Sequence, residues 1–232
     1  MSTLNPTRKV SRRQELREDK VVTFYARVLN IFENNRQAVI GAGAAVLAVI
    51  LLAMGWNWYQ GNRNDQALSE MAEAVSLYEA ESFQAALDGD VSFLGFMDIV
   101  DSYGGTDSGN LARFYAADAL FRTGDLEGAL EMFESYSKGN DYIGASAFAG
   151  EAAIHETQGN HERAGDLYMR AANVYSSEIT SPMYLSNAAR AYTSAGEFGD
   201  AIDALEMIEG DYPDSQAARS VEYKLAKLNA GS

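Results

Sequence analysis

The pattern of apolar and polar residues changes character several times along the chain. The first ten residues, MSTLNPTRKV, carry no period and read as disordered. From Ser11 onward Val21, Val22, Tyr25, Val28, Leu29 and Phe32 recur at three- and four-residue steps. That spacing predicts an amphipathic helix with Arg12, Arg13, Arg17 and Arg27 on its polar side. Then Gln37–Asn62 runs without one charged side chain, with QAVIGAGAAVLAVILLAMGWNWYQ at its centre. Past Arg63 polar and apolar residues mix again, in helical stretches broken about every fifteen residues at glycines.

The uncharged stretch admits three readings: a buried core helix, a cleavable export signal, or a membrane span. Ala38–Tyr59 as a helix would be about 33 Å long, enough to cross a hydrocarbon core of about 30 Å. Val39, Ile40, Val46, Leu47, Val49, Ile50, Leu51 and Leu52 together favour insertion by roughly 2 to 5 kcal/mol, and Gly41, Gly43 and Gly55 return part of that. Trp56, Trp58 and Tyr59 gather at one end, where amphipathic rings sit at headgroup level. A core helix is rarely so long, uncharged and aromatic-tipped, and a cleaved signal has a shorter leader and a shorter apolar run. A single span over 37–60 is the expectation. Gly41 and Ala45 form a small-xxx-small pair, common by chance in such spans.

Charge then orients it. Residues 1–37 hold eight Lys/Arg against four acids; the remainder holds ten against 29, a net of −19 within a chain of −15. Lys and Arg near a span stay on the cytoplasmic side. The expected layout is a basic cytoplasmic arm over 1–36, an inner-membrane span, and a domain over 61–232 exported to the periplasm of a host with two membranes. The arm's helix lies on the anionic leaflet or merely orients the span; both readings stand. The chain has no cysteine, so no disulfide marks its compartment.

Within 61–232 a repeat emerges. TGDLEGALEMFESY, QGNHERAGDLYMRA and AGEFGDAIDALEMI align on Gly124, Gly159 and Gly196, at spacings of 35 and 37 residues. Seven positions before each glycine stand Ala117, Ala152 and Ala189; five after stand Ala129, Ala164 and Ala201; nine after stand Phe133, Tyr168 and Leu205. The glycines predict left-handed turns ending helices, the alanines predict close helix crossings, and the large residues fill the gap to the next pair. A tyrosine closes each second helix: Tyr103, Tyr136, Tyr175 and Tyr212. The first of these implies a degenerate earlier pair, with helices at Gln66–Ala86 and Val91–Tyr103. Asp214–Asn229 reads as a polar capping helix bearing Lys224 and Lys227.

These positions resemble the tetratricopeptide repeat (TPR), including Pro213 in DYPDS, although the first two copies lack that proline and none has the full first-helix consensus. The resemblance implies an all-α fold: a single N-terminal transmembrane helix followed by a TPR-like α-solenoid of about three to four helix pairs, near 65–106, 108–140, 142–177 and 181–214, capped by 214–229. The whole layout is similar to the YfgM-type membrane-anchored TPR proteins, described as ancillary subunits of the Sec translocon. That likeness implies protein partners, the Sec translocon and periplasmic chaperones, and a domain that binds partner or emerging polypeptides. The alternative is a structural scaffold of a cell-envelope or cell-division complex without client binding.

Catalytic constellations do not form. His155 and His161 in IHETQGNHE lack H-E-x-x-H spacing and read as structural or solvated. Without cysteine, thiol catalysis is excluded. YGGTDSGN lacks the lysine of a phosphate loop and reads as a helix connection with Asp107 or Ser108 as N-cap. The acidic surplus disfavours nucleic acid and anionic lipid as ligands for the exported part. The expectation is a non-enzyme with no cofactor and no metal. Groove-facing positions implied by the family are Leu111, Phe114, Asp118 and Phe121; then Ala149, Ala153 and Glu156; then Met183, Asn187 and Arg190. Phe114 and Phe121 read equally well as core. The Lys and Asn that clamp a chaperone's C-terminal carboxylate in some family members are missing, since Phe114, Asp118, Gly150 and Met183 stand there. The expected groove is apolar and mildly acidic.

Overall fold

The computed structural model describes residues 35–231, and every regular element among them is a helix. The arm helix expected around Val21–Phe32 and the first ten residues lie outside the described part. The chain divides into two compact units, Met1–Tyr59 and Gln60–Ser232.

Helix α1, Arg36–Glu79, contributes to both. In the first unit its residues 40–59 are all exposed, Trp58 to 75 %, and its most apolar window has no buried residue. A helix of a folded core would bury one face of such a stretch, so the core reading fails. The helix is long and apolar enough to cross a membrane.

In the second unit α1 buries Ala67, Met71 and Ala74, at steps of four and three. The sequence carries this helix on to Ala86; the structure stops it at Glu79. Ser82 N–H donates to Leu77 O (2.8 Å) and Glu81 N–H to Tyr78 O (2.9 Å), the bonding pattern of a Schellman turn, with Glu81 in the left-handed region at φ 58°. Helix α2, Phe83–Asp88, follows. It ends at Gly89 (φ 65°), where a tight loop is pinned by Asp90 N–H on Phe93 O and Ser92 N–H on Asp90 Oδ1. Helix α3, Phe96–Tyr103, resumes the path. The expected second helix Val91–Tyr103 thus starts only at Phe96, and the end of the expected first helix, with Ala86, is the separate α2.

Helices α4 (Asp107–Thr123), α5 (Leu126–Ser135), α6 (Tyr142–Thr157), α7 (His161–Val174), α8 (Thr180–Ala195) and α9 (Phe198–Asp211) pack mainly on their sequence neighbours. The turn seen at Glu81 recurs at Gly124, Gly159 and Gly196, with φ of 94°, 82° and 87°. In each, the next residue's N–H reaches the carbonyl five back: Asp125 to Leu120, Asn160 to His155, Glu197 to Tyr192. All six repeat alanines are buried, and Phe133, Tyr168 and Leu205 fill the core beside them. The register extends backward, because Ala74 and Ala86 stand seven before and five after Glu81 and are both fully buried. Tyr103 is the last residue of α3, and Tyr136, Tyr175 and Tyr212 directly follow α5, α7 and α9.

Two local expectations need correction. The N-cap of α4 is Thr106, whose Oγ1 accepts from Gly109 N–H (3.0 Å). Asp107 is the first helical residue, placed well for the helix dipole, and Ser108 N–H donates to Asn64 Oδ1 instead (2.8 Å). The final helix begins late: Ser215 turns on Tyr212 O and its Oγ accepts from Ala218 N–H. A single 3-10 turn, Ala218–Ser220, then leads into α10, Val221–Gly231.

Candidate interaction groove on α8

The positions expected to line a groove separate into three environments. Phe114 is half-buried, its ring 6.1 Å from Phe133 and 5.9 Å from Tyr136, and Phe121 packs against the same cluster. Both belong to the core between α4, α5 and α6, one of the two readings their spacing allowed. Leu111 likewise packs on the preceding cluster, and Ala149 on the following one. Asp118 is occupied: its Oδ2 accepts from Tyr78 O–H (2.5 Å) and Arg122 Nε (2.6 Å), and Arg122 lies over the Phe83 ring. Burial first, and then Asp118, push the Tyr78 phenol well above its ordinary value.

Glu156, Asn187 and Arg190 come together. Arg190 Nη1 donates to Glu156 Oε1 across α6 and α8, and its Nη2 to Asn187 Oδ1 (3.4 Å). Tyr168 O–H donates to Glu156 Oε2 (3.3 Å), and its phenol is pushed up to about 12, mainly by burial and then by the Glu156 charge. Ala153 lies one turn away, half-buried.

Met183, Asn187 and Arg190 lie on one face of α8, at four- and three-residue steps. Two cavities open along that face. One of about 600 Å³ is lined by Met183, Asn187, Ile179 and Pro182, with Glu178 at its edge; Ile179 is 83 % and Met183 49 % exposed. The other, about 490 Å³, has Ala189, Phe198, Leu205 and Leu228 as apolar wall and Arg190, Lys224 and Lys227 as cations. Ser186 and Asn187 line both, so the two cavities adjoin along a groove on α8. Lys224 Nζ donates to Ser186 Oγ (2.8 Å), which ties α10 to α8. On α8 the lining is therefore apolar, with Glu178 in one cavity and Arg190, Lys224 and Lys227 in the other. Lys224, Lys227 and Leu228 were absent from the sequence-level site, although their three- and four-residue steps already put them on one helix face.

The histidines flank the α6–α7 turn and line one further cavity with Glu162 and Ser194; both Nδ1 atoms are buried without a hydrogen-bond partner. Among the described residues no group of three or more His, Asp or Glu side chains gathers in a way that could hold a metal.

Compared with protein-family models, curated proteins and solved structures, the chain matches none.

Proposed function

We propose that this protein is a membrane-anchored interaction module. In this reading the apolar part of α1 is a single span, the basic arm lies in the cytoplasm, and the domain after Gln60 is a TPR-like solenoid exported to the periplasm. It serves there as an ancillary subunit of the translocon and its chaperone network, holding partner or emerging polypeptides rather than catalysing a reaction. The observation that carries the reading is the α8 face: Met183, Asn187 and Arg190, picked out by repeat register, line two adjoining cavities with apolar walls. A groove with apolar walls and a few convergent polar groups is the usual form of a binding site. The recurring Schellman turns and buried small residues support the repeat assignment, because each helix pair hides its apolar face only against its neighbours.

The test is crosslinking mass spectrometry on the full-length protein in its native membranes. Crosslinks from the span and from α8 to translocon subunits and periplasmic chaperones are expected. Recovery of one stoichiometric envelope complex, with no translocon subunit and no unfolded client, would replace this reading by the scaffold.

A further inference from the structure

The α8 groove lies in a domain with 29 acids and ten basic residues after position 37, yet three of those ten, Arg190, Lys224 and Lys227, line one of its two cavities. They come from two helices and converge on an apolar floor that includes the buried Leu205. Their bonding differs. Arg190 is paired with Glu156, Lys224 is held by Ser186, and Lys227, exposed, enters no ion pair among the described residues. The opposite end of the groove carries Glu178 beside the exposed Ile179 and Met183. The groove therefore has a polarity: acidic and apolar at the start of α8, cationic and apolar at its end.

Its length indicates what can fill it. From Ile179 to Ser194 the helix advances about 22 Å, which matches about six or seven residues of extended chain. Two cavities joined side by side suit a strand of polypeptide with a side chain in each, more than one compact molecule. Resting on the interaction reading above, we infer that the groove takes an internal, extended segment of a partner polypeptide. That segment has apolar residues against Ile179 and Met183 and acidic side chains against Lys224, Lys227 and Arg190. Charge complementarity selects it, since the acidic remainder of the domain disfavours the same segment everywhere else.

The probe is a set of seven-residue fluorescent peptides, acetylated and amidated so that no terminal carboxylate takes part. Each has apolar residues in its first half and ends in two Asp, two Asn or two Lys. Anisotropy is read against the full-length protein in phosphatidylcholine nanodiscs, with empty discs subtracted. The Asp peptide is expected to bind about tenfold tighter than the Asn peptide, and the gap should shrink at high salt. Lys227→Glu should abolish that preference, because the exposed side chain holds no structural pair. Met183→Asp should weaken the Asp and Asn peptides alike. Equal binding of the three peptides, or an Asp preference that survives Lys227→Glu, overturns the inference and leaves the interaction reading standing. No binding by any peptide overturns both.

Discussion

Lys138 sits between α5 and α6, with Nζ 2.5 Å from Glu151 Oε1, bonded to Phe133 O, and over the Phe148 ring. Both side chains are largely hidden, at 11 % and 7 % exposure. Removing one charge of such a pair strands the other, so Lys138→Met should cost about 3–5 kcal/mol, read as a lower urea midpoint by tyrosine near-UV circular dichroism. Lys138→Met with Glu151→Met should recover most of it; no recovery would mean the lysine acts through packing alone. The sequence offered no sign of this pair, because Lys138 lies in a turn and Glu151 at a helical position with no distinguishing neighbour. Tyr168 makes a second test at this scale. Below about pH 10 its phenol is neutral in folded and unfolded chains and adds no slope. Between that value and about 12 the unfolded chain releases the proton while the folded one keeps it, so stability falls as pH rises through this window. Tyr168→Phe should make the alkaline decline shallower; an unchanged profile would contradict the assignment.

At the scale of elements the same helix-ending turn is used four times among the described residues, three times with glycine and once with Glu81. A side chain in the left-handed region costs about 1–2 kcal/mol that glycine avoids, part of which glycine returns as unfolded-chain entropy. Glu81→Gly should therefore stabilise the protein by up to about 1 kcal/mol, where glycine placed in a helix interior would destabilise it. A lower melting temperature for Glu81→Gly would show that the α1–α2 turn is held by something other than its backbone bonds. Glu81 also explains why the first helix pair was only half legible. The three later turns announce themselves by glycine, whereas the first keeps the flanking alanines, Ala74 and Ala86, but hides the turn behind an ordinary acidic residue. Gly89, the mark that splits α2 from α3, sits inside a loop whose bonds run through Asp90 and Ser92, a local arrangement that hydrophobic period does not report. The groove was legible on α8, where Met183, Asn187 and Arg190 follow repeat register. On α4 the same register left groove and core open for Phe114 and Phe121, and the structure packs both on the cluster that holds Phe133. The basic wall from α10 comes from beyond the last repeat, so register alone could not place it.

For the molecule as a whole, an uncharged helix and a close-packed helical array make sense together if one anchors and the other binds. Among the described residues nothing covers the apolar stretch of α1, and two apolar-walled cavities open on α8. The claim that joins them is that the α8 face, in the membrane-held protein, is where other polypeptides dock. It is tested most directly by a photo-crosslinking side chain placed at Met183 in the full-length protein in native membranes. A second copy carries it at Glu209, exposed on α9 and outside both cavities. Strong adducts to other polypeptides from Met183, weakened by Lys227→Glu and absent from Glu209, are the predicted result. Equal adducts from the two positions, or none from Met183, would contradict it.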